Sequence, residues 1–142
     1  MKKLLLLLTL SFGIALAQEP ILIFGDLTVD HHATPGIGFA LPVSSETSIP
    51  FEYGHGLESK TVTVGLSQTL FHIGESNGVS TTFDYGIARF HNYSKFLSEY
   101  SIGYDREISK KWSISPYFKI SRVDHTHTFS GGLYLNYKWF RK

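Results

Sequence analysis

Between residues 21 and 140 the chain alternates apolar and polar side chains with a period of two, in eight short stretches set apart by turn residues. The pattern is clearest in residues 130–140. There Leu133, Leu135, Tyr137 and Trp139 fall on one face, and Gly132, Tyr134, Asn136 and Lys138 on the other. Successive side chains of a strand point to opposite sides, so this alternation predicts a strand with two unlike faces. Residues 21–30 repeat it with Ile21, Ile23, Leu27 and Val29 against Asp26, Thr28 and Asp30, and residues 36–43 with Ile37, Phe39, Leu41 and Val43 against glycine, alanine and proline. A third stretch carries Ile49, Phe51 and Tyr53 opposite Ser48, Pro50 and Glu52, and a fourth spans residues 59–71 with Gln68 interrupting its apolar side. The fifth, sixth and seventh centre on Phe83–Ile87, Phe96–Tyr104 and Trp112–Ile120.

Between them, His31 to Gly36, residues 53–58, 74–78, 91–94 and 105–111 read as turns, and residues 123–129 as a short loop. No stretch after residue 20 has a helical period, and no segment repeats. The expectation is an all-β fold, an eight-stranded antiparallel up-and-down barrel with short loops.

The alternation starts only after an export-type leader. Lys2 and Lys3 precede an apolar run to Leu16, and Ala15-Leu16-Ala17 has the small-x-small form of a cleavage site, so residues 1–17 read as a signal peptide and 18–142 as one domain. Without Lys2 and Lys3, eleven basic residues face twelve acidic ones, a net charge of −1. Nothing in that balance suggests nucleic acid, whose binders need a basic face. The chain has no cysteine, so burial and backbone pairing must hold the fold. Charged residues make up only 18% against 15% aromatic, which suits a surface turned towards lipid.

Alternation alone does not say which face is inside. The polar face is rich in small residues (Gly36, Gly38, Ala40, Gly65, Gly86, Ala88, Gly103 and Gly132), which suit the cramped lumen of an eight-stranded barrel better than a solvated sheet surface. Its charges, Asp26, Asp84, Glu99, Lys119 and Lys138, then read as a lumen network in which the acids pair with the two lysines, since an isolated buried charge is too costly. Such a set suits a structural plug better than a conduction path. Tyr104, Trp112 and Trp139 near one rim, with Tyr53 and Phe96 near the other, are placed as interfacial aromatic girdles are.

In this pattern the chain resembles the small eight-stranded outer-membrane β-barrels of Gram-negative bacteria, and Phe140 is similar to the terminal aromatic of that class, although Arg141 and Lys142 follow it. The resemblance implies a transmembrane barrel in the cell outer membrane, a monomer with lipid as its partner and no protein partner named. Strands two and three are short for a tilted span, and Pro42, Pro50 and Pro116 each remove a ladder donor.

With the amino terminus on the periplasmic side, six of the seven histidines fall in the outer connections. Closure of strand eight on strand one would bring Asp30, His31 and His32 towards Asp124, His125 and His127. Imidazoles beside carboxylates suit zinc, copper or nickel, or an acid–base site. His-His and His-Thr-His lack the helix or cysteine context of a specific metal motif, so polar rim turns against lipid head groups are the preferred reading, with no metal, cofactor or catalytic residue assigned. Arg89 and Lys95, near the same rim, are placed either to bind anionic lipid A or to snorkel.

The favoured function is a structural or surface-interaction role. A lipid A deacylase-like enzyme is the alternative within the membrane. That family has a His-x-Ser dyad near the end of its penultimate strand, where this chain reads His125-Thr126-His127-Thr128 without the serine. A soluble periplasmic barrel around an apolar ligand is the alternative if the two faces are reversed.

Overall fold

The computed structural model describes residues 20–30 and 32–140. The expected leader and His31 lie outside the described residues. Eight strands follow one another: β1 (Ile21–Val29), β2 (Ala33–Pro42), β3 (Thr47–His55), β4 (Ser59–His72), β5 (Asn77–Phe90), β6 (Ser94–Glu107), β7 (Trp112–Val123) and β8 (Thr126–Trp139). Each pairs antiparallel with the next, and β8 pairs antiparallel with β1, so the sheet closes into a barrel. Closure satisfies the edges that an open sheet would leave unpaired. Ile21 and Trp139 mark one end, the terminal end; the two- and three-residue turns after β1, β3, β5 and β7 mark the distal end.

Apolar side chains point away from the barrel axis. Phe39, Phe83 and Trp112 are 44%, 43% and 43% exposed, as the lipid-facing arrangement requires. The interior is correspondingly polar: beside Phe24, Ala40, Ala88, Leu97 and Tyr117, the buried residues are Asp26, Thr63, Asp84, Glu99, Ser101, Ser113, Ser115, Lys119 and Ser130. This inverts a soluble barrel, whose apolar face would be the buried one, and it is the all-β transmembrane barrel expected from the alternation.

The strands are longer than their apolar alternation. β2 begins at Ala33, so Pro35 and Gly36, expected in a turn, pair instead with Leu27 and Asp26. β8 begins at Thr126, which pairs with Val123 across a turn of residues 124–125. Asp124 has a φ of 53°, the left-handed value that two-residue hairpin turns demand at their first position, and one that Asp tolerates better than most residues. Pro50 and Pro116 sit where the ladder is interrupted, whereas Pro42 keeps its place opposite Ser48. β3 and β4 lose their regular pairing between Ser48 and Phe51, around Pro50; β6 and β7 lose it between Gly103 and Arg106, opposite Pro116. A register shift between Thr69 and Phe71 turns His72 to the lumen side at the terminal mouth.

Candidate functional site in the lumen and at the distal rim

The lumen is filled at mid-height by residues that strand parity aims inward and that glycines make room for. Asp26 lies opposite Gly36, Glu52 opposite Gly38, Asp84 opposite Gly65, and Tyr117 between Gly103 and Gly132. A Cβ at Gly132 would overlap the Tyr117 ring, and one at Gly65 would overlap the Asp84 carboxylate. These glycines therefore mark where a larger neighbour crosses the lumen.

Asp26 anchors one half of the network. It accepts hydrogen bonds from Tyr117 Oη at 2.7 Å and Thr28 Oγ1 at 2.8 Å. The Tyr117 ring stacks on Tyr134 with centroids 4.4 Å apart, and Phe24 meets Tyr134 edge-on at 5.3 Å. Tyr134 Oη donates to Glu52 Oε2 at 3.3 Å. On the distal side of these rings Lys119 Nζ lies 3.3 Å from Glu99 Oε1 and donates to Thr28 Oγ1, also at 3.3 Å. Ser121 Oγ donates to the same Glu99 oxygen at 2.6 Å. Asp84 stands directly opposite Glu99 in the β5–β6 register. One buried lysine thus faces four acids, with Asp26, Glu52 and Asp84 within its electrostatic reach besides Glu99.

Towards the terminal end the lumen opens into a cavity of about 350 Å³ that reaches as far as Phe24, Glu52, Asp84, Tyr117 and Tyr134. Hydroxyls are the commonest group in its wall, with Ser115 Oγ donating to Asp105 Oδ1 at 2.5 Å and Asn136 Nδ2 donating to Ser115 at 2.9 Å. Neither Lys119 nor Glu99 lines it; the aromatic layer separates them from the cavity.

The expected lumen set is gathered with one reassignment. Asp26, Asp84, Glu99 and Lys119 share the mid-lumen, whereas Lys138 pairs with Glu107 at the terminal mouth. The register explains this: Lys138 aligns with Leu22, four residues from Asp26 towards the terminal end. Glu52, Tyr117 and Tyr134 belong to the network and were not picked out from sequence. Their strand parity is legible in the sequence; the pairing that sets Gly38 opposite Glu52, Gly103 and Gly132 beside Tyr117, and Asp26 and Ser115 beside Tyr134 is not.

The described rim residues are placed apart. Val29 aligns with Gly131, so β8 residues 126–130 continue beyond the end of β1. At about 3.3 Å per residue, the turn holding Asp124 and His125 stands roughly 17 Å further along the strand than the level of Val29. Asp30 and His32 stay at the lower level, where Asp30 Oδ1 accepts from the His32 backbone N–H at 2.8 Å. Asp124 pairs instead with Lys95 at 2.8 Å, and its carbonyl accepts from Arg122 Nε. His127 lies in β8 opposite Arg122. Among the described residues no three His, Asp or Glu side chains converge in a metal-binding group.

No protein-family model matches the sequence, and no curated protein matches it. The structure does match solved barrels. The N-terminal β-barrel domain of Pseudomonas aeruginosa OprF superposes with a TM-score of 0.77 at 8% identity, over 86% of this chain and 98% of that one. A de novo designed transmembrane β-barrel gives 0.63 at 10% identity, over 83% and 95%. Ail, the attachment invasion locus protein of Yersinia pestis, gives 0.50 at 10% identity, over 86% and 100%. At such identities the likeness concerns the fold: the chain is built as an eight-stranded transmembrane β-barrel.

Proposed function

We propose that the protein resides in the outer membrane as a monomeric, non-conducting barrel with a structural or surface-interaction role, its distal end facing outwards. The observation that carries this reading is the mid-lumen plug, in which Tyr117 stacks on Tyr134 and Phe24 meets Tyr134 edge-on beneath the Lys119–Glu99 pair. A barrel of this size has an interior just wide enough for side chains to fill, and here they fill it with satisfied polar groups. Lipid supplies the partner for the outward apolar residues of all eight strands, so no second chain is needed to cover them. The solved structures of similar fold include two natural bacterial barrels and a designed one, which is in keeping with a scaffold whose activity is not set by its fold.

Membrane fractionation, gel mobility with and without heating, and planar-bilayer recording test this together. The expected outcome is outer-membrane recovery, a compact band that shifts on boiling, and no channel events. Recovery in the soluble periplasmic fraction would overturn the location, and discrete openings by the unaltered protein would overturn the closed lumen.

A further inference from the structure

Charge is sorted by face in this barrel. The lumen side holds every strand acid: Asp26, Glu52, Asp84, Glu99, Asp105 and Glu107. On the outward side the charged strand residues among those described are all arginine or lysine, and all sit at strand ends: Lys60, Arg89 and Arg122 distally, Arg106 at the terminal end.

Two of these stand together. The β3–β4–β5 register sets His55 opposite Lys60, and Lys60 directly opposite Arg89. Directly opposed side chains have Cβ atoms about 5 Å apart, and like charges so placed destabilise a sheet. Among the described residues no carboxylate forms an ion pair with Lys60 or Arg89. The next outward-facing row towards the barrel centre is apolar throughout: Tyr53, Val62, Ile87 and Phe96, aligned across β3 to β6. Val62, Ile87 and Phe96 are all more than half exposed. The Tyr53 hydroxyl lies 3.2 Å from His55 Nδ1 and joins the two rows.

We infer that this flank is a binding site for a membrane lipid with a phosphorylated head group, its phosphate between Lys60 and Arg89 and its acyl chains on the Tyr53–Val62–Ile87–Phe96 row. A phosphate converts the Lys60–Arg89 repulsion into two charge-assisted hydrogen bonds. It also explains why the cations lie in one row at the apolar boundary, where a head group sits when its chains are in the bilayer. His55 adds a third polar group beside the same phosphate. The inference rests on the membrane reading above and names the lipid chemistry that one flank of the barrel selects.

The test uses the full barrel refolded into phosphatidylcholine vesicles, alone or with a minor fraction of diphosphoryl lipid A or dephosphorylated lipid A. The readout is the temperature at which the compact gel band is lost. Diphosphoryl lipid A should raise that temperature for the unaltered protein, and the double substitution Lys60→Gln/Arg89→Gln should lose most of the rise, with roughly tenfold weaker lipid retention. Arg106→Gln/Lys111→Gln, which removes as much charge at the other end, should keep the rise. In plain phosphatidylcholine Lys60→Gln should be at least as stable as the parent, because it relieves the repulsion. An equal rise with dephosphorylated lipid A, an equal rise with inorganic phosphate alone, or equal losses in the two double variants would overturn the site. Insertion without any rise overturns this inference alone. Failure of the parent barrel to insert into any vesicle overturns the membrane reading and the inference with it.

Discussion

Lys119 is the residue on which the interior depends. It is 7% exposed, pairs with Glu99, and is the single base facing the mid-lumen acids among the described residues. Breaking a buried ion pair from one side leaves an uncompensated charge, which costs about 3–5 kcal/mol. Lys119→Met is therefore expected to lower stability by that order in urea unfolding of the bilayer-inserted barrel. Lys119→Met/Glu99→Met should recover part of the loss, because the orphaned carboxylate is gone; a double variant no better than the single would remove Glu99 as the partner that matters. Gly132→Ala tests the space argument. Its Cβ would meet both the Tyr117 ring and the Leu27 carbonyl, so the ring must leave its place over Tyr134. A loss of 1–3 kcal/mol, about what overpacking costs, is expected in the same unfolding measurement, and an unchanged midpoint would show that Tyr117 is free to move.

At the scale of the strand, the alternation was legible and the ends were not. Apolar positions recur on one face at the strand centres, so the centres could be read directly. The extensions at Ala33–Gly36 and Thr126–Phe129 carry little alternation; ladder bonds from β1 and β7 hold them in the sheet. Hydrogen bonding to a neighbour is indifferent to side-chain polarity, so no local signal marked these residues. Depth dependence is the test of the outward face. Phe118→Arg places a charge on the lipid face at mid-strand, and is expected to cost about 2–4 kcal/mol in bilayer refolding. Arg122, four residues along the same face and at the distal end, carries its charge natively. A neutral Phe118→Arg would mean that this face is not in lipid.

For the whole molecule, closure decides what the lumen can do. Tyr117 and Tyr134 come from adjacent strands, yet their hydroxyls bind Asp26 on β1 and Glu52 on β3, across the lumen. Tyr117 and Tyr134 close the inner end of the 350 Å³ terminal cavity, so removing both rings would open it towards the Lys119–Glu99 layer. Tyr117→Ala/Tyr134→Ala is thus expected to give cation-favouring conductance in planar bilayers where the parent gives none, since the exposed wall is acidic. A silent double variant that keeps its heat-modifiable band would show that the charged layer alone seals the barrel.

The sequence by itself determined the strand character and which residues share a face, and both follow from a period-two pattern that a few consecutive residues already display. That the apolar face is the outer one was decided by the tertiary structure, because the same alternation serves a soluble barrel with its faces reversed. Which enclosed residues meet was decided by the tertiary structure. Asp26 and Tyr117 are 91 positions apart and meet only through closure and register. The same register moved Lys138 to Glu107, separated His32 from His125 and His127, and set Lys60 against Arg89. Local periodicity says which way a side chain points, whereas pairing between distant strands sets its height and its neighbours. The candidate chemistry of this barrel depends on those.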